Sequence, residues 1–176
     1  MHNIKLDKGN EGKNGHGLAV LVAPSCSDYV RVLKTSENVQ CICLQCDRKM
    51  FGLEEDVIVG ATYINPQSRD FPVRAIQINF TDLFEDTLGA FQVSPNVVLC
   101  GDFNAHVGEL SDAHTGFVLD CPEVLETRRY VCNSVNKAGQ LLVYLAAAMS
   151  MAIATGRVVG DDGQPSLTGN YGDKKS

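Results

Sequence analysis

Residues 96–108 read "NVVLCGDFNAHVG". The stretch begins with the apolar run of a buried strand, Asn96 to Cys100, and then turns polar at Gly101, Asp102, Asn104 and His106. Those four are residue types that bind metals and phosphates. In an extended chain residues two apart point the same way, so Asp102 and Asn104 are expected to project together just beyond the strand end. Gly101 is expected to leave room there for a ligand. A carboxylate beside a carboxamide can hold a hard divalent cation or polarise a water, while the amide donates to a phosphate oxygen. The competing reading is a turn in which Asp102 and Asn104 satisfy backbone donors, and these residues alone do not separate the two.

Upstream, "DVIVGATYI" (56–64) is β-branched and nearly continuous, so it reads as a second buried strand, and it too ends in a polar loop. Alternation puts Tyr63 on one face with Val57, Val59 and Ala61, where its phenol can face the same cleft. Between these strands the period changes. Asp70 can cap, Pro72 suits a first turn, and Ile76, Phe80, Leu83, Phe84 and Leu88 recur at helical spacing before Gly89.

Towards the N-terminus, "GLAVLVA" (17–23), "YVRVLK" (29–34) and "NVQCICLQ" (38–45) are strand candidates whose short turns suggest an antiparallel meander. Residues 2–16, polar and rich in Gly and Asn, read as a loop or frayed end. Beyond the opening motif, 107–135 is a long irregular stretch of the kind that serves a site. A second helix is expected from about Lys137 to Met151, with Leu141, Leu145, Ala148 and Ala152 along one stripe, and "MAIATGRVV" (151–159) returns to strand character. The tail is loop-like. Strands mixed with two helices make an α/β or α+β layered fold, and 176 residues are enough for one domain with a real core.

The net charge of −6 excludes a protein that holds nucleic acid by bulk electrostatics. Any nucleic-acid contact needs local basic residues or a bridging cation. The seven cysteines are odd in number, several lie in apolar strand-like runs, and no signal-peptide core opens the chain, which fits free thiols in a reducing compartment. Cys41-x-Cys43-x-x-Cys46 invites a zinc reading, but it lacks a second ligand pair, and strand alternation places Cys41 and Cys43 on one face and Cys46 on the other. The longest apolar run, "LLVYLAAAMSMAIA" (141–154), is shorter than the roughly 20 residues that span a bilayer. Asn79-Phe80-Thr81 matches a glycosylation sequon inside a helical pattern and is read as chance.

In order, "GATYINP", a helix, "NVVLCGDFNAHVG", "TRRYVCNSVNKAGQLLVYL" and "ATGRVVGDDGQPSLTG" resemble the endonuclease/exonuclease/phosphatase superfamily, and most of all the endonuclease domain of LINE-type retrotransposons. The resemblance runs from about Gly15 to Ser176. It implies an α/β fold, a four-layer α-β-β-α sandwich of deoxyribonuclease I type, incomplete at both termini, with 1–16 as a polar N-terminal loop and 17–176 as a partial domain. It also implies hydrolysis of DNA phosphodiesters with Mg²⁺ or Mn²⁺, in a nuclear protein that in full-length relatives carries a reverse transcriptase domain on the same chain. By motif, Asp102 would sit near the metal and orient or deprotonate the attacking water. Asn104 would bind the scissile phosphate and stabilise its developing charge, and Tyr63 would hydrogen-bond the phosphate. Thr168 falls where relatives carry a threonine that supports the phosphate site, with an ordinary strand-end threonine as the alternative. Arg128 and Arg129 can touch DNA phosphates, with a solvated loop as the alternative. His106 is expected to pack or to position its neighbours.

Three departures from the family pattern stand in the sequence. The superfamily's metal-binding glutamate belongs on a strand that precedes "GHGLAVLVA", where only Glu11 is found, in a loop-like setting. Its general acid/base histidine belongs to a Ser-Asp-His type motif beyond "YGDKKS". Cys132 stands where many relatives have aspartate. The expectation is therefore an endonuclease domain inactive as it stands, with a non-catalytic binding remnant, or a phosphatase or phospholipid phosphodiesterase of the same superfamily, as alternatives.

Overall fold

The computed structural model describes residues 2–6, 18–36, 41–69, 72–111, 128 and 134–158. Along them run β1 (His2–Leu6), β2 (Leu18–Val22), β3 (Val30–Ser36), β4 (Cys41–Cys46), β5 (Val57–Tyr63), helix α1 (Val73–Val93), β6 (Asn96–Asp102) and helix α2 (Lys137–Ala148). Short 3-10 turns occupy Pro24–Tyr29 and Arg48–Met50. The chain divides into two compact units, Met1–Ala105 and His106–Ser176, so β6 and the turn that ends it belong to the first.

In the first unit, β4 is buried along its whole length. It lies inside a mixed α/β arrangement whose four-stranded sheet has the order β3-β4-β5-β6. β3, β4 and β5 pair antiparallel, and β6 joins β5 in parallel after the crossover through α1. Ile42, Leu44 and Cys46 of β4, together with Val57, form a core against which Leu18 and Val20 of β2 pack. β2 pairs antiparallel with β1, so a separate two-stranded sheet covers this face. Cys41, Cys43 and Gln45 point to the other face by alternation, the side where Asp86 of α1 meets Lys34 of β3. Cover on both faces explains why β5 reads as a nearly continuous apolar run. Ile42, Ile58, Ile64, Ile76 and Leu83 are fully buried, and each contributes about 1.5–3 kcal/mol of transfer free energy.

Three expectations for this unit need correction. Residues 2–6, read as loop, form β1, because pairing with β2 supplies backbone partners that a polar sequence does not advertise. Residues 7–17 lie outside the described residues. The meander is β3-β4-β5, not one that begins at β2, because the 3-10 turn at Pro24–Tyr29 carries the chain from one sheet to the other. Gly89 does not stop α1. The helix runs to Val93 and ends where the Ser94 N–H donates to the Ala90 carbonyl and the Ser94 hydroxyl donates to the Asp56 carbonyl.

In the second unit, α2 ends at Ala148 and residues 151–157 are not a strand. Ser150 adopts φ +53°, the Met151 N–H reaches the Ala146 carbonyl (2.8 Å) and the Ser150 N–H the Ala147 carbonyl (3.3 Å). That pair of bonds is the Schellman ending, here with serine in the left-handed position that glycine usually takes. Gly156 at φ +74° turns the chain again, which removes the extended geometry a strand requires.

Candidate strand-end site

Parallel pairing brings the carboxyl ends of β5 and β6 to the same end of the sheet. The register runs from Val57↔Asn96 to Tyr63↔Asp102 without a shift, so Tyr63 and Asp102 are direct partners at the last rung. Partners share a face, and by alternation it is the face of Val57, Val59 and Ala61, as the sequence pattern of Tyr63 leads one to expect. Asp102 is exposed and Tyr63 is half-buried.

The chain leaves the strand in a tight turn. The Asp102 Oδ1 accepts the Asn104 N–H at 2.9 Å, and Asn104 adopts φ +46°. Its side-chain Nδ2 donates to the Ile64 carbonyl at 2.8 Å, while the Ile64 N–H donates to the Asp102 carbonyl at 2.9 Å. Extended alternation stops at Asp102, so Asn104 does not project alongside it but turns its amide onto the end of β5. The arrangement is the turn of the competing reading, and it ties Asp102 and Asn104 to the end of β5, where the register sets Tyr63 beside Asp102.

Gly101 has a different role from the one expected. It holds φ +137°, and a Cβ there would collide with the Thr62 carbonyl. The missing side chain makes room for β5 itself and not for a ligand.

The second unit contains the next expected residue. The His106 Nδ1 lies 3.0 Å from the Ser134 hydroxyl, and its N–H donates to the Asn136 Oδ1 at 3.0 Å. Asn136 also caps α2 through the Gly139 N–H at 2.8 Å. Gly139 lets the first turn of α2 approach the His106 carbonyl, which a Cβ would strike. His106 therefore anchors backbone, in line with a positioning residue.

Arg128 is not a solvated loop residue. It is buried, and its Nη2 donates to the carbonyls of Gly108 (3.0 Å) and Leu110 (2.6 Å), fastening the turn after Val107. A guanidinium supplies several fixed donors and so suits a loop whose carbonyls lack strand partners. Arg129, Thr168, Glu11 and Cys132 lie outside the described residues.

Among the described residues no group of three or more His, Cys, Asp or Glu side chains is arranged to hold a metal ion. Asp102 supplies a carboxylate at the cluster. Its chemistry fits a hard cation that retains most of its waters, as Mg²⁺ does. The three strand cysteines divide as alternation requires: the Cys41 and Cys43 sulfurs lie 3.7 Å apart, while Cys46 faces the β2 side.

The chain matches no family model, no curated protein and no solved structure. Function therefore rests on its own residues and on the resemblance they carry. No described helix is long and apolar enough to cross a membrane.

Two polar clusters escaped sequence reading. At the start of β5, Asp56 accepts the Arg48 N–H at 3.0 Å and the Gln45 amide at 2.5 Å, and Gln45 in turn accepts from the Arg31 Nε at 2.9 Å and Nη2 at 2.7 Å. The Arg48 N–H, and next the Gln45 amide, hold the Asp56 carboxyl below its usual range. The other cluster joins Lys34, Asp86, Cys41 and Cys43 between the sheet and α1. A lysine in an alternating strand was the only available signal, and its facing depends on a bulge that sequence does not reveal.

Proposed function

We propose that this chain is a DNA endonuclease domain of the endonuclease/exonuclease/phosphatase superfamily, of retroelement type, whose Tyr63 and Asp102, held by Asn104, form the phosphate-facing part of a divalent-metal-dependent phosphodiester site. The observation that carries the reading is the in-register Tyr63–Asp102 pair at the carboxyl ends of two parallel strands. In open α/β sheets ligands bind at that end. The layering of a small sheet, a four-stranded sheet and a helix supports the four-layer sandwich as the parent fold.

In this reading Asp102 would hold the cation and orient the attacking water, the Tyr63 hydroxyl would donate to a phosphate oxygen, and Asn104 holds the strand ends in register. Bound Mg²⁺ or Mn²⁺ would supply charge neutralisation at the phosphate. A single carboxylate stands at the cluster among the described residues. Members of such a site are interdependent, and the reading is of a chain that binds duplex without cutting it.

The test measures a short fluorescent DNA duplex binding by anisotropy, with Mg²⁺ or with a chelator, alongside nicking of supercoiled plasmid. Mg²⁺-strengthened binding that weakens in Tyr63→Phe and loses its metal dependence in Asp102→Ala is expected, without nicking. A folded chain whose duplex binding ignores both Mg²⁺ and these substitutions refutes the reading. Nicking that disappears in Asp102→Ala shows instead that the residues present suffice for catalysis.

A further inference from the structure

β3 contains one irregularity. Val32 pairs with Leu44 and Lys34 with Cys43, so Leu33 is an extra residue and the strand bulges. Regular alternation would give Lys34 the same face as Val32. The bulge turns it over to the Cys43 face, and re-aiming a side chain is what bulges do.

There Lys34 pairs with Asp86 of α1. The other carboxylate oxygen of Asp86 is buried without a hydrogen-bond partner. Beneath lie Cys41 and Cys43, 1% and 5% exposed, with sulfurs 3.7 Å apart. The Lys34 side chain is 57% exposed, so the cluster reaches from solvent to the core. The proposed phosphodiester site uses none of these groups.

We propose that Cys41 and Cys43 are a redox-active dithiol that hydrogen peroxide closes to an intrastrand disulfide and small thiols reopen. In the first step the Cys43 thiolate attacks one peroxide oxygen. The O–O bond breaks, hydroxide leaves and takes up the thiol proton as water, and Cys43 becomes a sulfenic acid. In the second step the Cys41 sulfur attacks the Cys43 sulfur. Its proton leaves with the displaced hydroxide as a second water, and the S–S bond forms. Two thiols are oxidised and one peroxide is reduced to two waters.

Charge favours that order of roles. The hydrogen bond with Cys41 lowers the Cys43 thiol, against burial and the Asp86 carboxylate and with a smaller contribution from the Lys34 ammonium, while the Cys41 thiol is raised by the same contact and by burial. Geometry sets the character of the bond. Residues two apart on a strand have Cα atoms about 6.4–6.8 Å apart, at the upper end of the disulfide range. The bond is therefore strained and easily reduced, as regulatory disulfides are. Lys34 belongs to an edge strand, whose local opening admits peroxide.

The experiment treats the purified full chain with a small excess of hydrogen peroxide, quenches with catalase, denatures, alkylates remaining thiols and digests with trypsin. Fragment-ion mass spectrometry of the peptide 35–48 is expected to locate the loss of two hydrogens between Cys41 and Cys43, with Cys46 alkylated and dithiothreitol restoring both thiols. Lys34→Met is expected to slow the reaction at neutral pH, because it removes the cation that favours the Cys43 thiolate and leaves the Asp86 carboxylate beside it. Alkylation of both cysteines after treatment of a chain shown to be folded by circular dichroism overturns the proposal. So does preferential pairing with Cys46, or a Lys34→Met rate equal to that of the parent.

Discussion

Gly101→Ala tests how the strand ends are built. At φ +137° an alanine is in a region reserved for glycine, at a conformational cost of about 1–3 kcal/mol. Its Cβ would overlap the Thr62 carbonyl and lie 2.9 Å from the Thr62 carbonyl carbon and 3.0 Å from its nitrogen. Those atoms belong to a paired backbone and cannot swing aside as a side chain would, so overpacking adds about 1–3 kcal/mol. Together the substitution costs about 2–6 kcal/mol, a large part of a stability that for domains of ordinary size is about 5–15 kcal/mol. Gly89→Ala is the control. It lies in α1, has nothing within 4 Å of an added Cβ, and replaces glycine by the best helix former, so it stabilises by about 0.5–1 kcal/mol.

Equilibrium urea unfolding followed by circular dichroism separates the two. With a slope of about 1–3 kcal/mol/M, Gly101→Ala lowers the midpoint by roughly 1 M or more, while Gly89→Ala leaves it unchanged or raises it. A Gly101→Ala midpoint equal to that of the parent chain would refute the close approach of β5 and β6. Because Thr62 precedes Tyr63 and Gly101 precedes Asp102, the same substitution separates the last rung. Mg²⁺-strengthened duplex binding then falls even in buffer where the chain stays folded.

Asn136→Ala removes the acceptor of both the Gly139 and the His106 N–H groups. It is expected to cost about 0.5–2 kcal/mol in the same unfolding assay, with Asn136→Asp recovering most of it. The depressed Asp56 carboxyl contributes stability that is present above its unfolded value of 3.8 and lost as pH falls through the lower folded value. Acid titration of the melting temperature should therefore show a loss of stability below about pH 4 that Asp56→Asn flattens, and identical acid limbs for the two proteins would count against the Asp56 network.

β2 to β6 and both helices were legible because burial on one or two faces imposes a period that composition records. β1 was not. Its residues are polar enough to read as loop, and the pairing that makes them a strand is supplied by β2. The end of α1 was misplaced for a related reason. Gly89 resembles a stop, but the stop is Ser94, whose hydroxyl bonds to the Asp56 carbonyl thirty-eight residues away. At the site, the facing of Tyr63 followed from alternation. The partners of Asn104, Gly101 and Arg128 did not, because each is decided by a backbone carbonyl, of Ile64, of Thr62, and of Gly108 and Leu110. A carbonyl is present at every residue, so sequence carries no mark of which one is used.

The two ends of β5 show why a polar ending has a different weight at each. At its start β5 is joined to β4 by a local antiparallel connection, and Asp56 spends both carboxylate oxygens inside that connection, on Arg48 and Gln45. At its finish β5 lies beside β6 in parallel, and parallel strands cannot be closed by a hairpin. Each chain must depart by its own loop, so polar side chains at that end converge without a turn that requires all of them. The Asp102–Asn104 turn accounts for two residues of the cluster through the bonds it makes. It does not by itself require the aromatic partner that the register places beside Asp102. Tyr63→Phe thus separates the readings: it leaves both turn bonds in place, and duplex binding that weakens while the urea midpoint holds would assign the phenol to a ligand.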